Sequence, residues 1–328
     1  MSESEVVIVI VTYKSAALTI DCLHSVEAER QASAPGLKIR AVVVDNASGD
    51  APPIAAAIEA QGWSSWVRLV TAERNGGFAY GNNVGIRTAC EDSRPAYFHL
   101  VNPDTLLRPG SVKALVDFFD AHPQAGIAGG IFENLDGSRW DIAFRFPSLL
   151  SELEQGLGLG LVSKLLKPWV VARSMGDQPQ PIDWVSGASM MVRSAVVDRI
   201  GGLDEAFFLY FEETEFCHRA KAAGFSTWYV PSSRVMHIAG QSTGVTERNA
   251  APKRLPAYWF ESRRRYFVQT RGLAYAWLTD AVAVLANGIG YAKRVLQGRA
   301  DQAVPRFVRD LASHAFGAAK APPAVPRF

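Results

Sequence analysis

The sequence predicts an α/β protein: a mostly parallel sheet with helices on both faces, followed by a C-terminal helical extension. Three observations carry this reading. The first hundred residues alternate β-branched runs with stretches whose apolar residues recur at helical spacing. The first of these runs, Val6 to Val11, is apolar at every position, as strands buried on both faces are. Beyond residue 246 the texture becomes basic and aromatic, then helical from 258 to 296.

In chain order, residues 6–11 form the first strand, too short to cross a bilayer. The five residues before it lack the basic start and cleavage site of a signal peptide. Ala17, Ile20, Leu23 and Val26, spaced by three, mark a helix. Residues 39–44, 66–70 and 97–101 read as strands two to four, with helices over 54–60 and 80–90 between them. From 126 to 243 turns at Asp136-Gly137, Gly201-Gly202 and Gly224 interrupt the pattern. Strands are expected over 185–192 and 226–230, and a loop leading into a helix over 204–222. Residues 149–171 are a Leu/Gly-rich insert with no assigned role, and the proline-rich tail 318–328 is expected to fray.

Composition narrows the function. With 48% hydrophobic and 20% charged residues the chain is globular, and a net charge of +2 excludes bulk nucleic-acid binding. Cys22, Cys90 and Cys217 are odd in number and far apart, which predicts free thiols in a cytoplasmic protein. Positive charge is concentrated at Lys253, Arg254, Arg263, Arg264, Arg265 and Arg271.

Ligands of parallel α/β sheets bind at the carboxyl ends of the strands. Four successive strands end in polar groups there: Thr12 and Tyr13; Asp45 and Asn46; Glu73, Arg74 and Asn75; Asn102 and Asp104. Asn102-Pro103-Asp104 follows the fourth strand directly, where a carboxylate can hold a hard cation, although the same string alone reads as a turn capped by Asp104. Glu212, Glu213 and Glu215 follow the aromatic run 207–211. Acids in a first helical turn complement the helix dipole, but an aromatic lead-in also desolvates a carboxylate and raises its pKa, as a general base requires. His237 lies between apolar neighbours and, taken alone, reads as a core histidine. The glycine-rich passage 75–85 is neither a dinucleotide fingerprint nor a P-loop.

In this order the strings Val11-Thr12-Tyr13, Val44-Asp45-Asn46-Ala47-Ser48, 75–85, 100–105, Gly187-Ala188, 202–210, 212–219 and Val230-Pro231 followed by His237 resemble glycosyltransferase family 2, in its bacterial rhamnosyltransferase-like branch, over residues 6–243. The resemblance implies a GT-A, Rossmann-like fold, with a catalytic domain over 1–245 (nucleotide-binding half to about 125, acceptor half from 126) and an extension over 246–328. It implies that Thr12, Tyr13, Asp45, Asn75, Asn82 and Asn102 bind the donor nucleotide and that Asp104 and His237 hold Mg²⁺ or Mn²⁺. Glu213, with Glu212 beside it, takes the catalytic-base position, and Gly187, Ala188 and Glu215 face donor sugar or acceptor. Two departures stand out: Asn102 replaces the first acid of the family's D-x-D motif, and the base is Glu where Asp is common. The expected activity is metal-dependent, inverting transfer of a sugar to a saccharide or lipid-linked saccharide acceptor in cell-surface polysaccharide or glycolipid synthesis. L-Rhamnose from dTDP-L-rhamnose is the favoured donor. Galactofuranose, N-acetylglucosamine, or a non-catalytic sugar-nucleotide-binding module are the alternatives. The segment 258–267, arginines beside Trp259 and Tyr258, suggests peripheral attachment to the inner face of the cell membrane.

Overall fold

Apolar from Val6 to Val11, Ser4–Thr12 (β1) is an interior strand of the sheet. The structure, a computed structural model, describes residues 4–33, 35–140, 143–237, 252–299, 303–315 and 325–328. After β1 come Ala16–Ser33 (α1), Leu37–Asp45 (β2), Ala51–Ala60 (α2), Val67–Thr71 (β3), Gly77–Ala89 (α3) and Tyr97–Val101 (β4). The second half contains Thr105–Leu107 (β5), Ser111–Ala121 (α4), Ala125–Glu133 (β6), Arg139–Trp140 (β7) and Ala143–Phe144 (β8). Leu149–Leu157 (α5), Gly160–Leu165 (α6), Ala172–Arg173 (β9), Gln180–Ile182 (β10), Trp184–Val185 (β11) and Ser189–Arg193 (β12) follow. Ser194–Ile200 (α7), Glu212–Ala222 (α8) and Ser226–His237 (β13) complete the sheet region, and Ala257–Arg271 (α9), Leu273–Leu296 (α10) and Phe307–Ala315 (α11) form a helical layer.

The main sheet has the order β10-β13-β6-β12-β4-β1-β2-β3. Strands β4, β1, β2 and β3 are parallel, and their register aligns Thr12 with Asp45 and Asp45 with Thr71 at one rim. The second half is mixed: β12 runs antiparallel between β4 and β6, while β13 is parallel to β6. Short β5 pairs antiparallel with the end of β13. The expected strand over 185–192 is two pieces, because the chain turns at Ser186 to Ala188 before entering the sheet.

Two expectations about the outer parts need correcting, and the unassigned insert gains a role. The insert is structural: α5 packs along α10 so closely that a Cβ on Gly290 would stand 2.1 Å from the Gly156 carbonyl oxygen. Of the tail, residues 325–328 are docked; Gly202 N–H donates to the Pro326 carbonyl at 2.8 Å, and Phe328 packs against the main core. The glycine pair at 201–202 leaves a bare backbone that accepts this contact. Residues 318–324, and the expected domain boundary at 245, lie outside the described residues.

The second correction concerns membrane charge. Arg263 is buried between Glu152, at 3.0 Å, and Asp280, at 2.6 Å. Arg264 is also buried and shares Asp280. Two of the three consecutive arginines are therefore internal ion-pair partners, not ligands for lipid. The aromatics of α9 turn toward the sheet domain: Tyr258 contacts Phe208 and Tyr210, and Trp259 and Tyr266 contact Phe211. Among the described residues α10 alone is long and apolar enough to cross a membrane. Its inner face carries buried Thr279 and Asp280, whereas Leu278, Leu285, Ile289 and Leu296 are exposed.

Removing Asp280 leaves two guanidinium groups buried without their shared acid. Asp280→Ala is expected to lower folding stability by about 3–5 kcal/mol, measured by denaturant unfolding. A loss no larger than that of an exposed control on the same helix as the two arginines, Glu261→Gln, would show that the cluster does not hold the helical layer.

Candidate functional site

The rim formed by the ends of β1 to β3 is bound into one network. Asn46 N–H donates to the Thr12 carbonyl at 3.0 Å, and its side-chain amide donates to Asn75 Oδ1 and to the Gly77 carbonyl, each at 3.1 Å. The Thr12 hydroxyl donates to Asp50, which also accepts from Ser15 N–H at 2.9 Å. Asp45 accepts from the Ser48 backbone and hydroxyl and from Ala51 N–H. Burial pushes its carboxyl up, but these bonds outweigh that and hold it below the ordinary range. It is therefore a fixed anion with its loop wrapped around it. Tyr13 beside it is exposed, and the Asn82 amide donates to the Phe78 carbonyl at 2.9 Å.

Asp104 and His237 come together through strand pairing. The antiparallel β5–β13 register sets His237 opposite Thr105, and His237 Nε2 lies 3.3 Å from Asp104 Oδ1, with both side chains largely buried. Asp104 Oδ1 has no hydrogen-bond partner. One buried oxygen and one imidazole nitrogen this close suit adjacent positions on a single octahedral cation, whose ligands at about 2.1 Å stand roughly 3 Å apart. No group of three or more candidate ligands occurs among the described residues, so other ligands would have to come from water or a bound phosphate.

The acids sit at the N-terminus of α8. Phe211, the residue before the helix, has φ 69 and Tyr210 has φ 71, a left-handed pair that turns the chain sharply into the helix. Burial pushes the Glu212 carboxyl well up, and the Glu213 charge beside it adds to the effect. Burial also raises Glu213, against a hydrogen bond accepted from Gly187 N–H. One oxygen on each, Glu212 Oε2 and Glu213 Oε2, is buried without a partner. The desolvation expected from the aromatic lead-in is thus present.

Gly187 and Ala188 join the acids to the segment of Asp104 and His237. Gly187 donates to Glu213, and a Cβ on it would come within 2.9 Å of the Phe78 ring. The Ala188 carbonyl accepts from Asn102 N–H at 3.1 Å, two residues before Asp104. Glu215 goes elsewhere: Arg219 Nε lies 2.6 Å from one of its oxygens, and the other Arg219 nitrogens donate to the Ile200 and Gly202 carbonyls. It anchors α8 to the chain after α7, at Arg219 and not at the Gly187–Ala188 wall assigned to the sugar.

Three residues that position the site were not singled out as site residues in the sequence. Asn46 ties three strand ends, Asp50 holds Thr12, and buried Asn83 fastens α3 to Leu203, donating to its carbonyl at 2.8 Å and accepting from its N–H at 3.0 Å. A polar residue adjoining a recognised motif was the available signal for Asn46. Asn83 gave none, since its partner is 120 residues away.

The sequence pattern of the family described as glycosyltransferase like family 2 matches residues 4–252. An N-acetylglucosaminyl-diphospho-decaprenol L-rhamnosyltransferase of Mycobacterium tuberculosis is 31% identical over 217 residues, 63% of this chain and 68% of that protein. Rhamnosyltransferase WbbL of Escherichia coli is 26% identical over 167 residues, 50% of this chain and 61% of that protein. Among solved structures, GalNAc-T7 with UDP, GalNAc and Mn²⁺ superposes with a TM-score of 0.58 at 14% identity, over 95% of this chain and 57% of that one. This likeness establishes the GT-A fold.

A carboxyl raised by burial favours its protonated form in the folded protein, so its contribution is present below the unfolded pKa, about 4.3, and is lost as pH rises. Glu212→Gln removes that penalty. Its melting temperature should exceed wild type by a margin that widens from pH 4 to 7; a margin independent of pH would mean that Glu212 is not held above its ordinary value.

Proposed function

The chain belongs to glycosyltransferase-like family 2, in its rhamnosyltransferase-like branch, and from that premise we propose that it transfers L-rhamnose from dTDP-L-rhamnose, with inversion, to a saccharide carried on a lipid. The observation that carries the proposal is the short backbone link between two kinds of group. Gly187 holds Glu213, and Ala188 holds the segment of Asp104, so a proton acceptor and a cation-binding pair share one rim.

In this reading residues 1–245 bind the donor and carry out catalysis, and 246–328 support the acceptor side. The fixed Asp45 carboxylate accepts from the ring N–H of the pyrimidine, with Thr12, Tyr13, Asn75, Asn82 and Asn102 around base, ribose and diphosphate. Asp104 and His237 hold Mg²⁺ or Mn²⁺. Such an ion, when bound, neutralises charge developing on the departing diphosphate. Glu213 takes the proton from the acceptor hydroxyl as that oxygen bonds to the anomeric carbon and the carbon–oxygen bond to phosphate breaks on the opposite face. A single displacement of this kind inverts the centre. Glu212 beside it, whose buried carboxyl favours its protonated form, leaves Glu213 to carry the charge. Free cysteines accord with the cytoplasmic side of the membrane, where the donor would be met.

Incubation of the purified protein with dTDP-L-rhamnose, Mn²⁺ and a lipid-linked saccharide tests the proposal. Rhamnosyl product of inverted configuration is expected, with activity lost in chelator and in Asp104→Ala. Glu213→Gln cannot accept a proton and should cut turnover roughly 10²-fold or more with donor affinity nearly unchanged. Full activity in chelator would remove the metal from the account, and normal turnover of Glu213→Gln would remove the base.

A further inference from the structure

A cleft of about 960 Å³ opens between α5, α9, α10 and α11, outside the rim described above. Its walls are apolar at Leu255, Trp259, Val304, Phe307 and Val308, and three guanidinium groups, Arg294, Arg306 and Arg309, also line it. None of the three belongs to an ion pair among the described residues. The acids nearby are already occupied: Glu152, which lines the cleft, is held by Arg263 at 3.0 Å, and Asp310 of α11 by Arg254 at 2.7 Å. The cleft is thus both apolar and cationic. A free sugar or nucleotide does not match its walls, and an uncharged hydrocarbon leaves its arginines unused. A phosphate-headed amphiphile satisfies both, since Arg binds phosphate bidentately and the walls gain from covering an alkyl chain.

We propose that this cleft binds an isoprenoid diphosphate, as the carrier end of the acceptor. The word acceptor rests on the glycosyl-transfer reading; the binding itself does not. Two further features favour this occupant. Trp259 lines the cleft and its ring meets Phe211 at 5.9 Å, the residue immediately before Glu212, so a carrier seated here lies one aromatic layer from the acids. The exposed residues Leu285, Ile289 and Leu296 of α10 lie on the helix that also supplies Tyr291 and Arg294 to the cleft, and they offer a membrane-embedded chain an apolar approach. The volume falls within the range of small-ligand pockets, roughly 300–1,000 Å³, enough for the first isoprene units and the diphosphate.

The test is calorimetric titration of the full chain with farnesyl diphosphate in chelator, which keeps diphosphate out of a metal-dependent donor site. Farnesol and inorganic pyrophosphate serve as single-part probes. Farnesyl diphosphate should bind at least about tenfold more tightly than either part, and the double variant Arg306→Glu/Arg309→Glu should lose roughly tenfold or more. Both arginines are exposed, so the variant should fold, and its donor hydrolysis should match wild type. The milder Arg294→Gln should show a smaller loss in the same direction. Pyrophosphate binding as well as farnesyl diphosphate, an unchanged affinity in the double variant, or no binding would overturn the proposal. So would displacement of farnesyl diphosphate by phosphatidylglycerol vesicles, which would assign the cleft to bulk lipid. If wild type binds farnesyl diphosphate but hydrolyses no donor, the transferase reading fails and the cleft stands.

Discussion

The site depends on a strained turn held from two sides. Tyr210 and Phe211 both adopt left-handed backbone, which costs an L-residue about 1–2 kcal/mol each, and this turn aims the first residues of α8. On one side α9 closes over it with Tyr258, Trp259 and Tyr266, and the Ser262 hydroxyl donates to the Leu209 carbonyl at 3.2 Å. On the other, Phe78 N–H donates to the Phe208 carbonyl at 2.8 Å. That contact requires glycine at 77, where φ is +84 and a Cβ would fall 1.9 Å from the Phe208 oxygen. The glycine-rich passage therefore serves as a docking surface between α3 and the loop that carries the acids.

Once the turn is fixed, the electrostatics follow. Glu212 and Glu213 enter a helix whose N-terminal dipole favours anions, yet each has an oxygen buried without a partner and a carboxyl raised by burial. A carboxylate kept in that state is a stronger proton acceptor than one in water. Glu215, three residues on from Glu212, is instead neutralised by Arg219. One short helix thus separates acids with an available oxygen from an acid bound into the fold, by which neighbours each meets.

Much of this was legible in the sequence. β1 and β4 are buried along nearly their whole length, as interior strands covered on both faces are, and the polar ends of the four parallel strands define the rim. The aromatic run before the acids announced their desolvation. What could not be read depends on partners far along the chain. Nothing near Arg263 and Arg264 reveals that Asp280 and Glu152 will neutralise them, so a local window sees a solvated basic face. The reversed direction of β12 is equally silent, because a five-residue apolar strand has the same composition either way. Phe328 and Pro326 looked like the end of a frayed tail, since the backbone they dock on, at Gly202, is more than a hundred residues away. Asp104 and His237 were each ambiguous alone, and only the β5–β13 register makes them a pair.

This pair and the acids of α8 are proposed to form one site across the rim. Anomalous diffraction from crystals soaked in Mn²⁺ and dTDP measures it directly. The account predicts a manganese peak bonded to both Asp104 and His237, with the nucleotide base against Asp45 and Glu213 open to the space beyond the terminal phosphate. A manganese peak held by other residues, or a nucleotide bound away from this rim, would contradict it.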